Sequence, residues 1–87
     1  MEDRDLVQEV LSGKNSAFRA LVEEYQDRVF NACLNVLRDR EDAEDVAQEV
    51  FIEVFNSLRS FRGDSNLSTW IYRIAVSKSL DRLRWRA

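Results

Sequence analysis

The residues best suited to chemistry stand close together near the C-terminal end of the 87-residue chain. Arg62-Gly63-Asp64-Ser65-Asn66-Leu67 combines short polar side chains with a glycine, directly after Phe61. Asp, Ser and Asn offer donors and acceptors on short stems, and such a loop could hold an extruded base by its polar edge. It could equally be an interhelical turn with a helix cap. The segment that follows carries Trp70, Arg73, Ser77, Lys78, Arg82, Arg84, Trp85 and Arg86. At 100° per residue, Lys78, Arg82 and Arg86 fall along one edge of a helix and Arg73 and Arg84 on another. Trp70, Ile74, Ser77 and Asp81 lie between them. Cations contact phosphates and aromatic rings stack on unpaired bases. The plainer alternative is that the cations only solubilise a helix whose tryptophans are core.

A second group of charges has the opposite sign. Asp45, Glu49, Ile52, Glu53 and Asn56 project from one side of a helical pattern, with Gln48 at its edge. The acids are spread along a face and no histidine supports them, so a metal site is not expected. An acidic face with one apolar residue suits a basic protein partner, and equally a solvated surface. Residues 1–58 hold 6 Lys/Arg against 14 Asp/Glu, a net of −8, and residues 59–87 hold 7 against 2, a net of +5. The overall charge of −3 hides this asymmetry, which points to a polyanion or another charged partner.

The elements that must position these residues read as helices. There is no proline, and Gly13 and Gly63 are the two glycines. The chain is rich in Ala, Leu, Glu and Arg, which favours an all-helical fold. A short helix, capped by Asp3 or Asp5, carries Leu6, Val7, Val10 and Leu11 and ends at Gly13. A second, capped by Asn15 or Ser16, carries Phe18, Leu21, Val22, Tyr25, Val29, Cys33, Val36 and Leu37, with Phe30 and Leu34 widening the stripe. A turn at Asp39 or Arg40 leads to a third helix from about Glu41 to Ser60. Its apolar face is Ala43, Val46, Ala47, Val50, Phe51, Val54, Phe55 and Leu58. After the 61–67 loop, Ser68 or Thr69 caps the last helix, Trp70 to about Arg86. Its stripe of Tyr72, Val76, Leu80 and Leu83 is expected to face the bundle. The fold class is all-α, a compact bundle of three long helices plus a short N-terminal one, forming one domain over residues 1–87.

Cys33, the sole cysteine, sits in an apolar pattern and reads as a buried thiol. With no histidine, the commonest general base and metal ligand is missing, so neither an enzyme nor a cofactor is expected. The acidic N-terminus lacks a long apolar run. It reads as neither a signal peptide nor a membrane span, which makes the cytoplasm the expected location.

Three runs together resemble region 2 of bacterial sigma factors, and within them the extracytoplasmic-function group. They are Asp42-Ala-Glu-Asp-Val-Ala-Gln-Glu-Val-Phe51, Phe61-Arg-Gly-Asp-Ser65 and Thr69-Trp-Ile-Tyr-Arg-Ile-Ala75. They occur in family order and spacing, and the resemblance covers roughly residues 14 to 86. It implies a helical bundle that docks on the clamp helices of the largest subunit of core RNA polymerase. Asp45, Gln48, Glu49, Ile52 and Glu53 would be the contacts. It also implies that Arg62, Gly63, Asp64, Ser65, Asn66 and Leu67 hold a base flipped from the non-template single strand of the minus-ten promoter element. Trp70, Arg73, Ser77, Lys78 and Arg82 would supply further DNA contacts. The group usually has an anti-sigma factor as a further partner. The chain departs from the family at Ser77, where asparagine is frequent, which bears on base preference. It also ends without the helix-turn-helix domain, region 4, that reads the minus-thirty-five element, as a fragment cut at a domain boundary would. Two other classes fit parts of the pattern: a protein-interaction bundle using only the acidic face, and a repressor-type duplex binder. Neither explains a polar loop set before an aromatic, basic helix.

Overall fold

The computed structural model describes residues 3–86. All regular elements among them are helical: α1 (Asp3–Leu11), α2 (Asn15–Leu37), α3 (Arg40–Ser57), one 3₁₀ turn (Leu58–Ser60) and α4 (Leu67–Arg86). None of the described helices is long and apolar enough to cross a membrane.

α2 is the central helix. Ala17, Leu21, Tyr25, Val29, Ala32, Cys33 and Leu37 are buried along it, a three-and-four spacing that keeps one side continuously apolar. α3 and α4 both pack on this helix and on each other, while α1 lies against α2 and the 3₁₀ turn. α3 contributes Ala43, Val46, Val50 and Val54, and the turn contributes Leu58. Removing a side chain such as Leu21, which is fully buried, would cost about 2–5 kcal/mol. Phe55 departs from the expected apolar face of α3. It stands 57% exposed, with its ring set edge-on against Phe18 at 5.1 Å between centroids.

The helix ends show how local sequence sets the topology. Gly13 turns the chain at φ +93° and donates to the Val10 carbonyl. Asp39 caps α3, its Oδ1 accepting from the Asp42 amide at 3.0 Å. Arg38, left-handed at φ 57°, closes α2 by donating its amide to the Leu34 carbonyl. Two expected caps are corrected. α2 begins with Lys14 at the cap position and no side-chain bond there, so Asn15 and Ser16 are already helical. The cap of α4 is Asn66 rather than Ser68 or Thr69, with its Oδ1 accepting from the Thr69 amide at 2.8 Å and from the Ser68 hydroxyl at 2.9 Å.

The largest correction concerns the rotation of α4. Tyr72, Leu80 and Leu83, expected to face the bundle, are exposed, and Val76 is half-buried. The buried positions are Leu67, Ile71, Ala75 and Ser79. Ala75 and Ser79 are small, so α4 approaches its neighbours closely there. The same face continues with Arg82 and Arg86, whose long stems cover apolar surface while their heads reach polar partners.

Candidate nucleic-acid interface

The polar loop, residues 61–66, borders a cavity of about 620 Å³. Phe61, Arg62, Gly63, Asp64, Ser65 and Asn66 line one side, and Asp3, Arg4, Val7 and Gln8 of α1 line the other. Gly63 takes φ +80°, a left-handed conformation open to glycine at little cost, and so lets the loop arch over the space. Arg62, Gly63 and Asp64 are exposed, and Ser65 is half-buried. Leu67, expected in the loop, is instead the first residue of α4 and is fully buried, so its side chain has no access to a ligand. Asn66 is held as the cap, with its side-chain oxygen already engaged. The amide of Leu67 donates to Asp3 Oδ2 at 2.9 Å, a bond between residues 64 apart in the sequence. A carboxylate there also meets the positive end of the α4 dipole.

Beside the loop, the Phe61 and Trp70 rings lie 5.4 Å apart at 51°. Phe61 faces the loop cavity, and Trp70 borders a second cleft of about 320 Å³. Its other walls are Glu53, Arg73, Ile74, Ser77, Lys78 and Asp81. The aromatic pair therefore stands between the two openings. Arg73 and Ser77 are exposed, Trp70 is half-buried, and Trp85 is 82% exposed further along α4.

The remaining cations of α4 are not free. Arg82 pairs with Asp42 at 3.3 Å and Glu49 at 2.7 Å, and Lys78 pairs with Glu53 at 3.7 Å. Arg86 reaches Asp42 at 3.2 Å and donates to the Leu37 carbonyl at 2.9 Å, so it joins three helices. The Ser57 hydroxyl donates to Glu53 as well. The acidic and basic sets inferred from sequence thus meet along one seam between α3 and α4. Asp45, Gln48 and Ile52 remain outside it and exposed, Ile52 at 62%.

At the inner end of the seam lies an apolar, poorly satisfied contact. Ser79 Oγ is fully buried without a partner of full hydrogen-bond geometry, and Cys33 is buried beside it. Burial pushes the Cys33 thiol up, offset in part by the adjacent Ser79 hydroxyl, so this is an inert thiol rather than a nucleophile. Tyr25 is also pushed up, first by burial and then by the nearby Asp3 carboxylate. No cluster of ligands that could hold a metal ion occurs among the described residues.

Sequence reasoning placed the loop and the aromatic helix correctly as neighbours. It missed Asp3, Arg4 and Gln8. Asp3 bonds the start of α4 and Arg4 and Gln8 line the same cavity as the loop, across some sixty residues of sequence, and the one available signal was the run of polar residues on the face of α1 away from Leu6, Val7 and Val10.

Residues 21–87 match the family model for sigma-70 region 2. The chain is 40% identical to the RNA polymerase sigma-H factor of Pseudomonas aeruginosa over 94% of its length and 42% of that protein. It is 37% identical to the SigW factor of Bacillus subtilis, covering 90% of this chain and 42% of that one. With the sigma-E factor of Escherichia coli it shares 43% identity, over 88% of this chain and 40% of that one. The chain therefore spans about two fifths of the length of these curated relatives. Among solved structures it is similar to an NMR structure of an engineered region 2 of sigmaE in complex with GTAAAA. The TM-score is 0.89 at 36% sequence identity, covering 99% of this chain and 90% of that one.

Proposed function

The chain belongs to the sigma-70 region 2 family, and from that premise we propose that it captures single-stranded promoter DNA of the minus-ten type in company with core RNA polymerase. The observation that carries this reading is the open cavity beside the 61–66 loop, next to a helix face that carries half-buried Trp70 and exposed Arg73. A base lifted from a melted strand enters the loop cavity and meets the polar edges of Asp64 and Ser65. Gly63 gives the loop its shape, while Asn66 and Leu67 hold it from behind. The neighbouring bases pass over the Phe61–Trp70 pair toward Ser77, and Arg62 and Arg73 contact phosphates. Lys78 and Arg82 border the same path and add phosphate contacts while sharing their charge with the seam acids. The similar engineered sigmaE region 2 is in complex with GTAAAA.

Nothing covalent is required. A protein that binds the open strand better than the duplex shifts the equilibrium toward opening by its differential affinity alone. Asp45, Gln48 and Ile52, with Glu49 and Glu53 at the edge of the seam, form the docking surface for the clamp helices of the largest polymerase subunit, where complementary charge orients the encounter. An anti-sigma factor is a further partner. The chain acts as a binding module, not an enzyme, in the cytoplasm.

Titration of Trp70 and Trp85 fluorescence with single-stranded GTAAAA and with the corresponding duplex tests the nucleic-acid half. Tighter binding of the single strand is the expected result. Preference for the duplex would favour a repressor-type binder, and no response to either would leave a protein-interaction bundle.

A further inference from the structure

We propose that α1 is the second wall of the loop cavity, with Gln8 reading the edge of the captured base, Arg4 holding its flanking phosphate and Asp3 as the residue that positions the loop. This inference rests on single-strand capture by the loop and extends it to a helix that lies outside the matched family region, residues 21–87.

Three observations carry it. First, Asp3, Arg4, Val7 and Gln8 line the cavity opposite Phe61–Asn66, so a ligand entering the loop touches α1 as well. Second, α1 is anchored by burial of Leu6, Val7 and Val10 against α2 and the 3₁₀ turn. That fixes Arg4 and Gln8, one helical turn apart, on the exposed side that faces the opening. Third, the Asp3 carboxylate accepts from the Leu67 amide, which joins the first residue of α1 to the first residue of α4 at the point where the loop ends. The width of the cavity is thus set by α1 and not by the loop alone.

The chemistry of the wall fits a nucleotide. Arg4 and Arg62 both line the cavity and are exposed, and two guanidinium groups there suit phosphate. Val7 gives an apolar floor for a base face. The Gln8 amide offers a donor and an acceptor side by side, the arrangement that pairs with the amino group and ring nitrogen of adenine. Asp3 keeps its negative charge, as does Asp64, but Asp3 is turned to the Leu67 amide, and Arg4 and Arg62 line the same cavity with two positive charges.

The test is fluorescence anisotropy on labelled single-stranded GTAAAA and on six versions of it, each with one abasic site. The proteins are the 87-residue chain and its Arg4→Ala, Gln8→Ala, Asp3→Ala and Asp3→Asn variants, with helicity and melting checked by circular dichroism. In the parent chain, one abasic position should weaken binding most and so mark the base in the cavity. Gln8→Ala should weaken binding of the intact strand by about tenfold. On the strand abasic at the marked position it should have no effect. Arg4→Ala should weaken all strands and reduce the salt slope by about one unit. Asp3→Ala should act like Gln8→Ala, and Asp3→Asn, which keeps an oxygen for the Leu67 amide, should recover most of the loss. Equal losses from Gln8→Ala on intact and abasic strands, or no loss at all, overturn the role of α1 while capture by the loop stands. A parent chain with no marked position, or with no single-strand binding, overturns both. Arg4 and Gln8 are exposed, so their variants remain folded and decide the matter even if Asp3→Ala does not.

Discussion

The seam between α3 and α4 and the cavity between α1 and the loop are built from the same residue types put to opposite uses. In the seam, Lys78, Arg82 and Arg86 meet Glu53, Glu49 and Asp42, so that much of their charge is neutralised within the fold. At the cavity, Arg4 and Arg62 are exposed, and neither has an ion-pair partner among the described residues. A count of cations on a helix edge treats both groups alike. What separates them is whether an acid from a neighbouring helix arrives within about 4 Å, and that depends on how the helices are rotated. The side chains of Arg82 and Asp42 are 22% and 25% exposed, so their attraction is less screened than that of Arg84 and Asp81, which are 74% and 68% exposed.

The sharpest way to break this contrast is Arg82→Ala. It removes the partner that Asp42 and Glu49 share and leaves the partly buried Asp42 with Arg86 alone. The loss should be about 2 kcal/mol, between the values for exposed and fully buried pairs. For a domain of this size that is a fall in Tm of roughly 8–16 °C, readable by circular dichroism. A fall of about 2 °C or less would show the seam to be ordinary surface pairing.

The next effect separates the free part of α3 from the paired part. Asp45→Lys and Ile52→Ala should each weaken binding to core RNA polymerase by about 1 kcal/mol, roughly fivefold, and leave Tm unchanged. Glu49→Lys should weaken the same binding and lower Tm as well, because it also opposes Arg82. Equal Tm changes for Asp45→Lys and Glu49→Lys would mean that the seam does not distinguish them.

A smaller effect compares the cations themselves. Arg62→Ala should lower single-strand affinity several-fold and take about one unit from the salt slope, because a cation with no ion-pair partner among the described residues displaces a full counterion from the strand on binding. Arg82→Ala should take less from the slope, since its charge is shared with two acids before DNA arrives. The reverse order in a salt titration would place the working cations in the seam.

How far the sequence led depends on the range of the interaction involved. The four helices followed from periodicity and from turn residues such as Gly13 and Asp39, which act over a few positions. Cys33 was legible as buried because α2 is apolar around it. The rotation of α4 was not legible. Tyr72, Leu80 and Leu83 outweigh Ala75 and Ser79 in any apolar pattern, yet the small residues allow close approach and the large ones stay outside. The cap of α4 was misplaced by two or three residues because Asn66, Ser68 and Thr69 all suit that position, and geometry alone chose Asn66. The loop and its polar residues were evident, whereas the opposite wall was hidden, because Asp3 and Leu67 meet only after the bundle has formed.

The smallest expected effect lies where the seam turns dry. One turn before Arg82 on the same face, Ser79 is sealed against α2 next to Cys33. Burial holds the folded thiol protonated to higher pH than in the unfolded chain, where it ionises near its ordinary value of about 9. Above that pH the unfolded state binds fewer protons than the folded one, so stability must fall as pH rises. Below it the contribution is constant. The slope is at most about 1.4 kcal/mol per pH unit and ends where the folded thiol itself ionises. Tm measured between pH 7 and about 9.5 should therefore decline first near the ordinary thiol range, and Cys33→Ala should remove that decline. The raised Tyr25 phenol adds a similar fall beginning near its own ordinary value of about 10, and Cys33→Ala leaves that part in place. A decline in the thiol range that persists in Cys33→Ala would place the titrating group elsewhere and remove the thiol from the account of the seam's inner end.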